Sequence, residues 1–112
     1  IRLKLDVDQA FLDIDRAIPC AMIASELITN ALKHAYPDQS GGDISLRFHS
    51  LGPRFRLTVS DSGPGMAGDA VQGASGTLGM KLVRSLVKQI DGRMEIQNRG
   101  GLRVEIDFPV NG

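Results

Sequence analysis

Five stretches of the chain alternate apolar and polar residues with period two. Leu3, Leu5 and Val7 form the first, Ile44, Leu46 and Phe48 the second, and Phe55, Leu57 and Val59 the third. Met94 with Ile96 is the fourth, and Leu102, Val104, Ile106 and Phe108 make the clearest one. Successive side chains of a strand point to opposite faces, so each apolar set shares one face. Polar partners such as Arg47, Arg56, Thr58, Glu95, Arg103, Glu105 and Asp107 take the other. The pattern predicts a mixed, mostly antiparallel sheet with one buried and one wet face. A weaker strand is predicted near Phe11 to Ile14.

Two segments repeat at helical spacing instead. The first runs from about Arg16 to Ala35, with Cys20, Ile23, Ala24, Leu27, Ile28, Ala31 and Ala35 on its apolar side. Asp15 is placed to cap its start, Pro19 is tolerable within the first turn, and Pro37 ends it. The second runs from about Leu78 to Asp91, with Met80, Val83, Leu86, Val87 and Ile90 as its stripe. Ser75 or Thr77 suits its start, and Gly92 its C-terminal stop. Two amphipathic helices on one face of a single-faced sheet make a two-layer α/β sandwich. The stretch from Ser62 to Gly76 has no periodicity and is rich in Gly, Ala and Ser, so it reads as a mobile loop between a strand and a helix. No internal repeat or low-complexity tract interrupts this plan.

Composition narrows the picture. The 112 residues suffice for one domain, expected to cover 1–112, and for one core without staples. Thirteen basic residues balance thirteen acidic ones, which argues against a general electrostatic hold on nucleic acid or membrane. Cys20 is alone, which excludes an internal disulfide, and it reads as a small core residue. No apolar run is long enough to span a bilayer, and no signal-peptide pattern opens the chain. The sequence begins at Ile1 without a methionine, so it is read as a piece of a longer protein.

Three groups of residues carry candidate chemistry. On the first helix, opposite the core stripe, Glu26, Asn30 and Lys33 fall at i, i+4 and i+7 and form one polar line bordered by His34. A carboxylate and an amide oxygen one turn apart suit Mg²⁺, which takes few protein oxygens and keeps water and phosphate oxygens as its other ligands. A lysine one turn further meets a phosphate. A solvated helix face accounts for the same line equally well. The second group is Asp61-Ser62-Gly63-Pro64-Gly65, directly after a strand. Its Asp is either an acceptor for an exocyclic amine such as that of adenine, or the first residue of a surface turn. The third is Gly76-Thr77-Leu78-Gly79-Met80-Lys81, where glycines at a helix start expose unpaired amides to phosphate. It is neither a P-loop nor a dinucleotide fingerprint. Taken in order, these are the parts of a nucleotide pocket.

At this point the sequence resembles a known family. ELITNALKHAYP, from Glu26 to Pro37, is similar to the N box of the GHKL ATPases, which share the Bergerat fold. DSGPGM at Asp61 to Met66 resembles their first glycine box, and GTLGMKLV at Gly76 to Val83 their second. The likeness is to the HWE-like sensor histidine kinases in particular. It includes AIPC before the N box, Gln89, Gly92 and Glu95 after the second glycine box, and GGLRVEIDFP at the end.

The resemblance implies an ATP-binding catalytic domain that passes the γ-phosphoryl of ATP to a histidine on a separate dimerisation domain. It implies Asn30 on Mg²⁺ with Glu26 beside it, Lys33 on phosphate, and His34 near the ribose or phosphates. Asp61 would take the adenine amine, Gly63 and Gly65 shape the pocket, and Gly76, Thr77 and Gly79 line the phosphate end. The partners implied are that dimerisation and phosphoacceptor domain and a response-regulator receiver, in a cytoplasmic homodimer, membrane-anchored or not. Neither His34 nor His49 is expected to be the phosphoacceptor.

Three features depart from the pattern. Thr77 stands where a further glycine is common, Leu102 follows Gly101 where a threonine is common, and the lid from Ala67 to Ser75 holds one charged residue, Asp69. Three rivals stay open: an anti-sigma-factor serine kinase, a non-catalytic docking module, and a hydrolytic ATPase using Glu26 as general base.

Overall fold

A computed structural model describes residues 1–35, 42–61, 78–98 and 101–110. In chain order they form β1 (Arg2–Val7), α1 (Ile14–Ala35), β2 (Asp43–Leu51), β3 (Arg54–Asp61), α2 (Leu78–Gln89), β4 (Arg93–Asn98) and β5 (Leu102–Pro109). The strands make one sheet in the order β1-β2-β3-β5-β4. β1 runs parallel to β2, and the other neighbouring pairs are antiparallel.

The register keeps the period-two pattern in phase across the sheet. Leu46 pairs with Val59, Val59 with Val104, and Val104 with Ile96, so the apolar sets share one face. Arg47, Thr58, Glu105 and Glu95 line up in the same way on the other face. Both helices cover the apolar face: α1 lies over β2, β3 and β5, and α2 packs beside α1 and against β4. Ile23, Leu27 and Ala31 from α1 meet Met80, Val83, Leu86, Val87 and Ile90 from the second helical segment in a single core. Phe48, Phe55 and Phe108 close one end of it, with ring centroids 5.1 to 6.3 Å apart. Offset and tilted contacts of this kind add to simple area burial.

Four expectations need correction. The strand predicted near Phe11 to Ile14 is absent. Residues 11–13 are irregular and Ile14 already belongs to α1. The carbonyl of Asp13 accepts the amides of Arg16 and Ala17 at 2.9 and 2.8 Å, so the helix starts earlier than its apolar stripe. Asp15 is therefore not the cap but a first-turn carboxylate facing the positive end of the helix. With the start two residues earlier, Pro19 lies beyond the first turn rather than within it and deprives the carbonyl of Asp15 of its amide donor.

At the end of α2 the left-handed residue is Asp91, with φ 57°, rather than Gly92. The amides of Gly92 and Asp91 bond to the carbonyls of Val87 and Lys88 at 2.8 and 3.1 Å, the double closure of a Schellman turn. Gly92 is needed for space: a Cβ there would stand 3.0 Å from the carbonyl oxygen of Asp107.

The fourth correction concerns β1. Leu3, Leu5 and Val7 pair with Ile44, Leu46 and Phe48 and share their face, yet they are 48%, 65% and 55% exposed. β1 is the edge strand, and α1 runs over the middle of the sheet rather than over this edge. Alternation told which way these side chains point but not whether anything covers them. β1 is held by its ladder and by ion pairs instead. Arg2 and Lys4 meet Asp43 at 3.1 and 3.3 Å, and His49 lies 3.2 Å from both Asp6 and Asp8.

Candidate functional site

The helical line on α1 is where sequence and structure first meet. Glu26 is half-buried, Asn30 is buried at 8% exposure, and Lys33 is exposed. The line is therefore not a uniformly wet face opposite the core. Because α2 packs beside α1, one flank of α1 is enclosed without belonging to the apolar stripe. Glu26 and Asn30 occupy that flank, and Lys33 emerges from its far end.

Asn30 is the anomaly of the interior. Its side-chain Nδ2 is buried and has no hydrogen-bond partner among the described residues. Leaving such a donor unmade costs the desolvation of the group, on the order of 1–3 kcal/mol, and native proteins rarely retain one without a use. Glu26, one turn earlier, directs its carboxylate at the first turn of α2. Its Oε1 lies so near the Cα of Gly79 that any side chain at position 79 would overlap it.

Asp61 is the last residue of β3. It pairs with Ile44, which places it on the face of the sheet that the helices cover. Its Oδ1 accepts the backbone amide of Leu102 at 3.4 Å. Gly101 fits against it, since a Cβ there would overlap the carbonyl oxygen of Asp61 and stand 3.2 Å from Oδ1. Gly101 also has φ 126°, a conformation that side chains disfavour. The start of β5 thus fixes the carboxylate at the end of β3. The sequence reading treated Gly101-Leu102 only as a missing hydroxyl, although the paired glycines before the last strand were a visible sign of a close backbone approach.

Glu26, Asn30 and Asp61 lie on the helical side of one sheet, and Gly79 joins Glu26 there. Gly63, Gly65, Gly76 and Thr77 lie outside the described residues, as does the side chain of His34. Among the described residues no group of three or more His, Cys, Asp or Glu is arranged to hold a metal ion. A magnesium ion bound chiefly through phosphate oxygens and water does not require one. Asn30 and Glu26 carry the oxygens such an ion takes, an amide Oδ1 and a carboxylate one turn apart, while the unpartnered Nδ2 is a donor that suits an acceptor such as a phosphate oxygen.

Other reactive side chains have structural explanations. Burial pushes the Cys20 thiol up to about 11, which keeps it protonated and unreactive at neutral pH. His49 is a clip between the edge strand and its neighbour rather than a free surface histidine. Arg16, which the sequence marks only as the approximate start of the first helix, is buried and donates to the carbonyls of Pro109 and Ile90 at 2.6 and 3.4 Å.

Comparison with known proteins gives a consistent result. The family model described as histidine kinase-, DNA gyrase B-, and HSP90-like ATPase matches residues 16–112. Blue-light-activated histidine kinase 2 of Erythrobacter litoralis is 32% identical over 99% of this chain and 33% of its own length. Serine-protein kinase RsbW of Bacillus subtilis is 28% identical over 79% of this chain and 61% of its own. The histidine kinase domain of the blue-light-activated kinase EL346 from Erythrobacter litoralis superposes with a TM-score of 0.88 at 31% identity, over 97% of this chain and 54% of that one. The chain thus spans about a third of the length of the blue-light-activated kinase, 33%.

Proposed function

The chain belongs to the family of histidine kinase-, DNA gyrase B- and HSP90-like ATPases, and on that premise we propose that it is the ATP-binding catalytic domain of a sensor histidine kinase. It transfers the γ-phosphoryl of ATP to a histidine on a separate dimerisation domain, from which the group passes to an aspartate of a response-regulator receiver. The whole chain, 1–112, acts as the single catalytic domain of a cytoplasmic portion of a homodimer. Among the described residues no helix is long and apolar enough to cross a membrane.

The observation that carries the reading is the buried Nδ2 of Asn30, a donor that has no acceptor among the described residues and that a phosphate oxygen would satisfy, one helical turn from the Glu26 carboxylate. Asn30 and Glu26 hold Mg²⁺, Lys33 meets a phosphate, and His34 borders the ribose or phosphates. Asp61, steadied by the amide of Leu102, accepts the adenine amine. Gly63 and Gly65 shape the base pocket, and Gly76, Thr77 and Gly79 bring the first amides of α2 to the phosphates. These groups position the nucleotide and neutralise its charge, which is most of what phosphoryl transfer asks of a protein.

Calorimetry with Mg-ATP and Mg-ADP on the wild type and Asp61→Asn tests the pocket. Binding in the micromolar to millimolar range, weakened by about tenfold or more in the variant, is expected. A wild type that binds neither nucleotide, or a variant that binds as well, rejects the assignment. The similarity to RsbW keeps serine as a second acceptor class in view. Acid-labile phosphohistidine on the dimerisation domain supports the first reading, and acid-stable phosphoserine on a partner supports the second.

A further inference from the structure

Gly79 presents a question that its backbone does not answer. It is the second residue of α2 and its φ is not among the positive ones, so the conformation suits any residue. Glycine within a helix is unfavourable relative to alanine, because it gives up more backbone freedom on folding. Something other than backbone geometry must therefore favour glycine here.

Space does. A Cβ at position 79 would overlap Oε1 of Glu26, and would stand 2.6 Å from its Cδ and 3.4 Å from its Cγ. The end of the Glu26 side chain is thus seated on the Cα of Gly79. The seat has an electrostatic logic, since the first turn of a helix carries unpaired amides and the positive end of the dipole. One turn further along α1, Asn30 is held with its buried Nδ2 unpartnered among the described residues. The docking of Glu26 onto α2 therefore sets where the carboxylate stands relative to that amide and to the start of α2.

We infer that Gly79 is a positioning residue: its missing side chain is the socket that holds the Glu26 carboxylate at the junction of the two helices, where a divalent cation is to be bound. This rests on the nucleotide-binding reading given above, but it assigns Gly79 a role beyond lining the phosphates. Any side chain at 79 expels Glu26 from its seat, and the cation loses a ligand held at a fixed place.

Two measurements on the purified domain test this. Gly79→Ala is made in the wild type and in a Glu26→Ala background, and urea midpoints are compared. With the carboxylate present, the flexible end of Glu26 swings aside, and loss of its seat offsets the helix preference for alanine, so the midpoint changes little. With the carboxylate removed, the helix preference for alanine takes over and the same change raises it. In calorimetry, Gly79→Ala weakens Mg-ATP binding by about tenfold, as loss of a group that orients a metal ligand typically does, and weakens binding of ATP in EDTA much less. If Gly79→Ala does not fold, folding of the double variant supports the socket and its failure to fold rejects it. A midpoint raised equally in both backgrounds overturns the inference, and so does Mg-ATP affinity unchanged by Gly79→Ala. A wild type that does not bind ATP is a different failure, that of the functional reading itself.

Discussion

The guanidinium of Arg16 donates to the carbonyl oxygen of Pro109 at 2.6 Å, joining the first turn of α1 to the last residue of β5. The same Nη1 reaches the carbonyl of Ile90 at 3.4 Å, just beyond α2. One buried cation thus gathers three elements that are far apart in sequence. Arg16→Met is expected to lower stability by about 2–3 kcal/mol, because the carbonyls lose a charged donor that the thioether cannot replace. Urea unfolding measures the loss. A variant as stable as the wild type would show that Arg16 is incidental to the assembly.

Asn30 gives the opposite sign. Its buried Nδ2 has no partner among the described residues, so the fold carries an unmet desolvation cost there. Asn30→Leu is expected to raise stability by about 1 kcal/mol and to abolish Mg-ATP binding. A thermal melt together with calorimetry reads both effects. Stability and affinity falling together would instead mark Asn30 as a structural residue.

Gly101 holds Asp61 through backbone shape. Gly101→Ala combines an unfavourable φ of 126° with an overlap on the carbonyl of Asp61. The cost is expected to be about 3 kcal/mol, with nucleotide binding weakened because Asp61 shifts. Urea unfolding and calorimetry on this one variant check both, and unchanged affinity in a destabilised domain would separate Gly101 from the pocket.

Acid should weaken the outer face of the sheet. Arg56 donates to both oxygens of Asp107 at 2.7 and 3.0 Å and holds its carboxyl below the usual value of 3.8. Lys4, with Arg2, does the same for Asp43, and the amide of Ser50, with His49, for Asp8. A carboxylate whose folded value is depressed stabilises the fold fully above its unfolded value, and that stability is lost as pH falls through the folded one. Urea midpoints should therefore decline once pH drops below about 4, and Asp107→Asn should flatten the decline. An unaltered pH profile in the variant would discard the Arg56–Asp107 pair as a source of it.

Much of this molecule was legible before folding. Strict alternation in 102–108, 55–59 and 44–48 set which side chains share a face, because a strand's side chains have a period of two. The stripes Ile23-Leu27-Ala31 and Met80-Val83-Val87 placed the helices for the same kind of reason, a period of 3.6. The order of Glu26 and Asn30, then Asp61, then the glycine-led helix start was enough to propose a nucleotide site. Periodicity is local, and it cannot tell what lies opposite a face. The packing of α1 over the middle of the sheet decided that Leu3, Leu5 and Val7 stay exposed, and tertiary packing around α1 decided that Asn30 on its polar line is buried. Close approaches are equally non-local. Glu26 meets Gly79, and Asp61 meets Gly101, only because distant stretches are brought together, so a glycine read as exposing amides to phosphate and one read only as preceding Leu102 prove also to leave space for two particular carboxylate-bearing residues.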